Sequence, residues 1–446
     1  MTGRLAKCGL VGFHPATIAG TEQGRGDEPR PFAPDRQRRR ELLRHDRVSA
    51  SNGGNGQVTM RARLRRSIPI LCILFVFKTG ACFGSTAARE LYVDGTKGND
   101  RAAGTSAAPL RTIDAALARL PGRIDDDVLV HLSGDIRSPH GNESATLDFD
   151  RPMRPGRAVR FVGAKSDTIL NWTAPDGAPL IDVTQGRWSF EDVQLGSRAK
   201  DQRAGVRVTG PAVLELHSVR IRTASVNSPG IHSTRGGLVE LYGEIILNDD
   251  LHDALGNAGK DSFCGIVADY SGVVRFRERE HALLSVGNGS LSASYYGVIE
   301  LGCATAQLTS WHEQANVIAV NNSGRVDLHS TKTVLAARNP RNTPIGLEDD
   351  GHVLAEGAPI TIRGFDNSNA IVLQKASSFF CNDVTFDGPF HTALLASSGS
   401  TLLIGVIGDL PGGDATTGAR IILEKCTGKQ TRPVNGGNGG VVITPK

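Results

Sequence analysis

Between Leu180 and Ile404 the chain repeats one short apolar pattern nine times, and a repeat of this length leaves few architectures open. Its copies begin at Leu180, Val206, Ile231, Ile266, Leu291, Ile318, Ile345, Ile371 and Leu394, with spacings of 26, 25, 35, 25, 27, 27, 26 and 23 residues. Periods of this size mark stacked units, each too small to bury its own apolar face. Six places after each start stands a small residue: Gly186, Ala212, Gly237, Gly272, Gly297, Gly324, Gly351, Ser377 and Ser400. Such residues suit a tight turn between two short strands. Eight and ten places on come pairs such as Trp188/Phe190, Leu214/Leu216, Val239/Leu241, Val326/Leu328 and Phe379/Cys381. Alternation at period two puts both members of a pair on one face of a strand.

A third apolar run follows in most copies, as in Val219 to Ile221, Ile245 to Leu247, Thr333 to Leu335 and Ile360 to Ile362. Three short strands per coil, with like residues stacked in ladders, describe a parallel β-helix. Helical repeats need long amphipathic runs uninterrupted by a central Gly, which this pattern lacks.

Upstream of the repeats the composition changes. Residues 1–59 cluster Arg36, Arg38, Arg39 and Arg40 among Pro, Gly and polar residues without apolar periodicity, and are expected to be a disordered or non-translated extension. Residues 60–87 have the anatomy of a secretory signal. Arg61, Arg63, Arg65 and Arg66 form its basic end, Ser67 to Phe77 its apolar stretch, and Ser85 and Ala87 a small-x-small cleavage site. The apolar stretch is short for a bilayer span, so no stable membrane span is expected. A true start at Met60 would place the protein in the secreted, periplasmic or cell-envelope class. Thr79-Gly80-Ala81-Cys82 loosely resembles a lipoprotein box, but Thr79 stands where an aliphatic residue belongs.

Removing residues 1–87 reverses the charge argument. That piece holds 15 Lys and Arg against 6 Asp and Glu, leaving 35 basic and 40 acidic residues, a net of −5. A nucleic-acid partner thereby loses its main support. Cys264, Cys303, Cys381 and Cys426 remain, an even number that permits three disulfide pairings in an oxidising compartment. Cys381 falls in an inward column and reads as a buried free thiol.

The stretch from Leu91 carries Tyr92-Val93-Asp94-Gly95, then Gly98-Asn99-Asp100, Gly104-Thr105, and Pro109-Leu110 leading into Thr112 to Leu120. Thr112 is a candidate N-cap, Asp114 sits near the positive end, and Ile113, Ala116, Leu117 and Leu120 share a face, which fits a helix. This stretch resembles the entry motif of pectate-lyase-like right-handed β-helix proteins, in which a first strand and a Gly/Asp-rich turn lead to a capping helix. The resemblance implies a right-handed parallel β-helix solenoid of about nine to eleven coils with an N-terminal capping helix. The expected order is entry strand and capping helix over 88–125, β-helix over 126–410, and a C-terminal cap or flexible tail over 411–446.

That superfamily includes polysaccharide lyases, hydrolases, epimerases, tailspikes and surface proteins, so the fold alone does not assign chemistry. Its catalytic signatures are not matched. Asp249-Asp250 and Asp349-Asp350 lack a companion Gly-His-Gly, and Arg338-Asn339-Pro340-Arg341 lacks the second Arg of the lyase segment at its expected distance.

Sorting by offset yields the candidate sites. Offset three is polar in every coil from the second: Thr209, Thr234, Asp269, Ser294, Asn321, Glu348, Gln374 and Ser397. Offset nine runs Glu215, Glu240, Arg275, Glu300 and Asp327, then the apolar Leu354, Phe380 and Leu403. Coils stack at ~4.8 Å, so Glu215 meets Glu240 and Glu300 meets Asp327, with Arg275 between the pairs. Like charges at that separation raise one pKa of each pair unless a cation offsets them.

Glu300, Asp327 and Glu240 are therefore the candidate catalytic carboxylates, by analogy with the ~5 Å pair of retaining glycoside hydrolases; the same pairs can hold Ca²⁺, the one cofactor considered. The bland alternative is a solvated face in which Arg275 bridges Glu240 and Glu300. Candidate substrate-binding residues are Arg275, Asp269, Tyr295 and Glu215, with Asp250 and His252 from the insertion in the 35-residue spacing. Tyr295, Tyr296 and Tyr270 can form a sugar-stacking surface, reduced to two rings if one of the adjacent pair faces inward. Two function classes follow. One is an exported protein that binds polysaccharide, a cell-surface glycan or another surface partner along its polar strand faces; the other is a lyase or glycoside hydrolase that uses the stacked carboxylates.

Overall fold

The computed structural model describes residues 88–444, apart from 138–144, 165–167, 173, 176–177, 197–203, 223–228, 248–264, 278–281, 288–289, 311–315, 330–331, 338–342, 365–368 and 391. The extension, the signal segment with Cys82, and the 248–264 insertion with Asp250, His252 and Cys264 lie outside the described residues.

The chain winds into a parallel β-helix. The first strand of each repeat joins a twelve-stranded sheet, and the second and third strands join a twenty-three-stranded sheet. Each first-column start from Val206 to Ile371 pairs with the next: Val206 with Ile231, Ile231 with Ile266, Ile266 with Leu291, and so on to Ile371 with Leu394. The first copy is corrected by one place. Ile181, not Leu180, pairs with Val206, because the turn that follows in this coil is one residue shorter; Trp188 and Phe190 still face Leu214 and Leu216.

The middle strands stack well beyond nine copies. Arg89–Asp94 pairs with Val128–Ser133 and that with Val159–Gly163, so three rungs precede strand Arg187–Glu191. At the other end, where a cap or tail was expected, Arg420–Cys426 pairs with Thr401–Val406 and Val441–Ile443 continues the ladder. These rungs lie outside the nine-fold pattern because they are irregularly spaced along the chain, so no fixed offset recovers them.

Inward residues form one continuous core, with Ile231, Val239, Leu241, Ile266, Leu284, Ile299 and Phe379 all fully buried. One part of it is aromatic. Phe149 sits edge-on to Trp188 at 4.6 Å, Phe161 stacks on Phe190 at 5.0 Å, and the Trp188 indole N–H donates to the Gln185 carbonyl at 2.7 Å. Cys381 occupies its predicted inward place with no exposure, and burial pushes its thiol up to about 12. Cys381 and Cys426 are free thiols.

The entry motif explains itself locally. Asp94 Oδ1 accepts the backbone N–H groups of Thr96 and Lys97, and Asp100 Oδ1 accepts those of Arg111 and Thr112, which ties the Gly/Asp-rich turn to the start of the helix. The helix is shorter than expected, Ile113–Leu117, with Thr112 Oγ1 accepting from Ala115 N as its N-cap. Ile113, Ala116 and Leu120 join the core. Segment Gly104–Leu110 covers the outer edge of the first strand, since Tyr92 N donates to Gly104 O and Leu110 N to Tyr92 O. No helix among the described residues is long and apolar enough to cross a membrane.

The corner between the two sheets is a repeated tight turn. In coil after coil the N–H at offset six donates to the carbonyl at offset three, as in Gly272 to Asp269, Gly297 to Ser294 and Gly324 to Asn321. The two residues between are both left-handed: Tyr270 and Ser271, Tyr295 and Tyr296, Asn322 and Ser323, Asp349 and Asp350. This is the mirror-image turn that Asn-Gly and Asp-Gly favour. The Gly at offset six is therefore needed for space rather than for its φ. A Cβ on Gly297 would stand 2.0 Å from the Ala268 carbonyl oxygen of the preceding coil.

Candidate functional site

Two outward regions collect the predicted site residues. The first is the face of the middle strands. Register places Glu215 opposite Glu240, Glu240 opposite Arg275, Arg275 opposite Glu300 and Glu300 opposite Asp327, as the offset-nine column requires. The carboxylates there are met by arginines from places two residues along the same strand faces. Glu240, whose side chain is only 4% exposed, receives Arg275 Nη2 at 3.0 Å and Arg277 Nε at 2.6 Å, with Arg187 Nη2 at 3.5 Å. Arg187 pairs more closely with Glu215, and Arg325 Nε donates to Asp327 Oδ1 at 2.7 Å.

Arg275 thus binds Glu240 rather than bridging to Glu300, whose carboxylate makes no direct hydrogen bond or ion pair among the described residues. Nor does stacking raise Glu215. Burial pushes its pKa up, but the hydrogen bond with His217 and the Arg187 guanidinium outweigh burial and hold the group below the usual Glu range. Among the described residues no group of His, Cys, Asp and Glu is arranged to hold a metal ion. The same face carries ring stacks that the offset-nine column did not reveal. His217 lies flat on Tyr242, with centroids 4.2 Å apart and planes 2° from parallel, and Tyr92 stacks on His131 at 4.4 Å.

The second region is the tyrosine corner. Tyr270, Tyr295 and Tyr296 are 55%, 39% and 69% exposed. The expectation that one of the adjacent pair faces inward is wrong, because a left-handed pair at offsets four and five turns both side chains out where an extended strand would alternate them. Tyr270 and Tyr295 stack with centroids 4.7 Å apart and planes 3° from parallel, which matches the rung separation.

The corner is locked from coil to coil. Ser271 N donates to Tyr295 O at 3.0 Å, Tyr296 N to Asn322 O at 3.4 Å and Ser323 N to Asp349 O at 3.0 Å. Beside it runs the offset-three column, where Asp269 lies 3.1 Å from His232 Nε2. Burial raises the Asp269 pKa, but hydrogen bonds with His232 and Thr234 win, so its carboxyl sits below the usual Asp range and is ionised at neutral pH. Ser294 and Asn321 continue the column with hydroxyl and amide groups, while farther along Glu348 is taken up by Lys375 at 2.5 Å.

Sequence reasoning found Asp269, Tyr295 and the offset-nine column and missed the counter-ions Arg187, Arg277 and Arg325. The signal that recovers them is strand geometry: residues at offsets seven and eleven project on the same side as offset nine. Comparison with protein-family models, with curated proteins and with solved structures finds no match to this chain.

Proposed function

We propose that this protein is an exported β-helix that binds polysaccharide, with sugar rings packing on the tyrosine corner and hydroxyls bonding to the adjoining polar column. The observation that carries this reading is the placement of Tyr270, Tyr295 and Tyr296 at left-handed positions. Most equivalent turns place Gly, Asn or Asp in at least one of the two left-handed positions, as at Gly236, Asn322, Asp349, Gly399, Gly418 and Gly439, while Lys375 and Ala376 share the strained conformation without an aromatic ring. Left-handed backbone costs an ordinary residue on the order of 1 kcal/mol, and strain of this kind collects at binding sites. Three exposed aromatics held there, two of them stacked face to face, present apolar surface with ionised and hydroxyl groups beside it. The entry motif supports a place among pectate-lyase-like proteins, and residues 60–87 support export. Binding is preferred to hydrolysis because Glu215, Glu240 and Asp327 are each neutralised by arginine.

A substitution separates binding from stability. Tyr296→Gly should raise stability by about 0.5–1 kcal/mol, the relief of left-handed strain exceeding the extra freedom of unfolded Gly. It should also weaken polysaccharide retention about tenfold, ~1.4 kcal/mol. Affinity gel electrophoresis over neutral and acidic polysaccharides, beside thermal melts, reads both. A variant that is more stable and is retained like the parent would refute the corner as the site.

A further inference from the structure

At the start of the helix, on the same outward face as the charged ladder, lies a cavity of about 210 Å³ lined by Tyr92, Asp94, Ser106, His131, Ser133 and Val162 among others. From these groups we infer that the cavity is an end subsite for one neutral pyranose of the bound glycan, an inference that rests on the glycan-binding reading above. Its volume is below that of ordinary drug-sized pockets, as fits a single ring.

Three features define the ligand. One wall is aromatic, formed by the Tyr92 and His131 rings stacked 4.4 Å apart. The polar groups are ones that sugar hydroxyls satisfy. The Asp94 carboxylate and the Ser106 and Ser133 hydroxyls line the cavity, while His131 Nε2 is shielded from solvent and directed at Glu90 Oε2, 3.6 Å away. The charge is negative. Burial works against ionisation of Asp94, but the backbone N–H groups of Lys97 and Thr96 and the Ser133 hydroxyl keep its pKa below the usual Asp range. Glu90 accepts from the Tyr92 hydroxyl at 2.8 Å. A uronate carboxylate entering here would face the Asp94 carboxylate, with Glu90 beyond the ring wall, whereas a neutral ring would meet no such repulsion.

Position makes it an end rather than a midpoint. Tyr92 belongs to the first rung, and segment Gly104–Leu110 closes the stack beyond it. The column that starts with Tyr92 and His131 runs through Val162, Glu191 and His217 to Tyr242, so a glycan lying along the axis meets a second ring stack before reaching the closed end.

Saturation-transfer NMR on the intact protein, with methyl glucoside, methyl galactoside, methyl mannoside and methyl glucuronoside as probes, tests this directly. At least one neutral glycoside should show transfer and the glucuronoside none. Tyr92→Ala and His131→Ala should each reduce the signal at least tenfold. Ser106→Trp, which plugs the cavity from an exposed segment, should do the same even if a strand substitution disturbs folding. Arg363→Ala, in an exposed ion pair outside both proposed sites, should leave it intact. Transfer from none of the neutral probes, equal transfer from the glucuronoside, or an unchanged signal in Ser106→Trp would overturn the inference. Polysaccharide retention that depends on the tyrosine corner stands or falls separately, so the two readings fail by different results.

Discussion

Trp188→Ala is expected to lower stability by about 3–5 kcal/mol, the largest effect of any single change considered. The indole has no exposure, sits against Phe149 and Phe161, and is the widest side chain in the aromatic segment that also holds Phe190. Truncation leaves a cavity that parallel strands on both sides cannot collapse into, because their register is fixed by the Phe161↔Phe190 and Leu214↔Trp188 rungs. It also removes the donor to the Gln185 carbonyl. A solenoid is stabilised by nearest-neighbour contacts, so the loss should appear first as local opening between residues 147 and 216. Urea titration followed by limited proteolysis reads both quantities. Trp188→Phe, which keeps most of the volume, should lose less than half as much. A Trp188→Ala loss under ~1.5 kcal/mol would mean that this segment is not close-packed.

Glu240→Ala is the second large effect, about 2–3 kcal/mol of destabilisation. Its carboxylate is nearly inaccessible and is the shared acceptor of Arg275 and Arg277, with Arg187 at 3.5 Å. Removing one partner of a buried ion pair leaves the others uncompensated. The figure is set below the range for fully buried pairs because Arg187 and Arg277 are about half exposed and can turn toward water. Glu300→Gln, at a carboxylate without a direct partner among the described residues, should stay within ~0.5 kcal/mol. Chemical denaturation of the two variants side by side decides whether the ladder is structural. Equal and small losses, with glycan cleavage abolished in Glu240→Ala, would instead favour the stacked-carboxylate hydrolase.

Much of the fold was legible because one rung constrains the next. A column of aliphatic residues at near-constant spacing can stack only in register, so Ile231 to Leu394 and the offset-nine ladder follow from the sequence alone. The slip at Leu180 has a simple cause: Leu180 and Ile181 are both apolar and both buried, and the shortened turn after them carries no residue that announces the deletion. The tyrosine corner was only half legible. Tyr270, Tyr295 and Tyr296 suggested a stacking surface, but strand alternation was carried one residue too far, into a turn whose handedness their bulk argues against. The arginine counter-ions were hidden for another reason. A sort by single columns groups residues that stack along the axis, whereas Arg277 and Arg325 reach sideways to acids two places away on neighbouring or shared strands. The aromatic corner thus replaces the acidic ladder as the proposed glycan-binding surface.

Hydrogen exchange of the purified protein, with and without a polysaccharide that retards it in affinity gels, tests that change most directly. The account predicts slower exchange at the corner turns, 269–272 and 294–297, with the Glu240 to Asp327 rungs unaltered. Protection centred on residues 238–242 and 325–328, with none at the tyrosine turns, would contradict it.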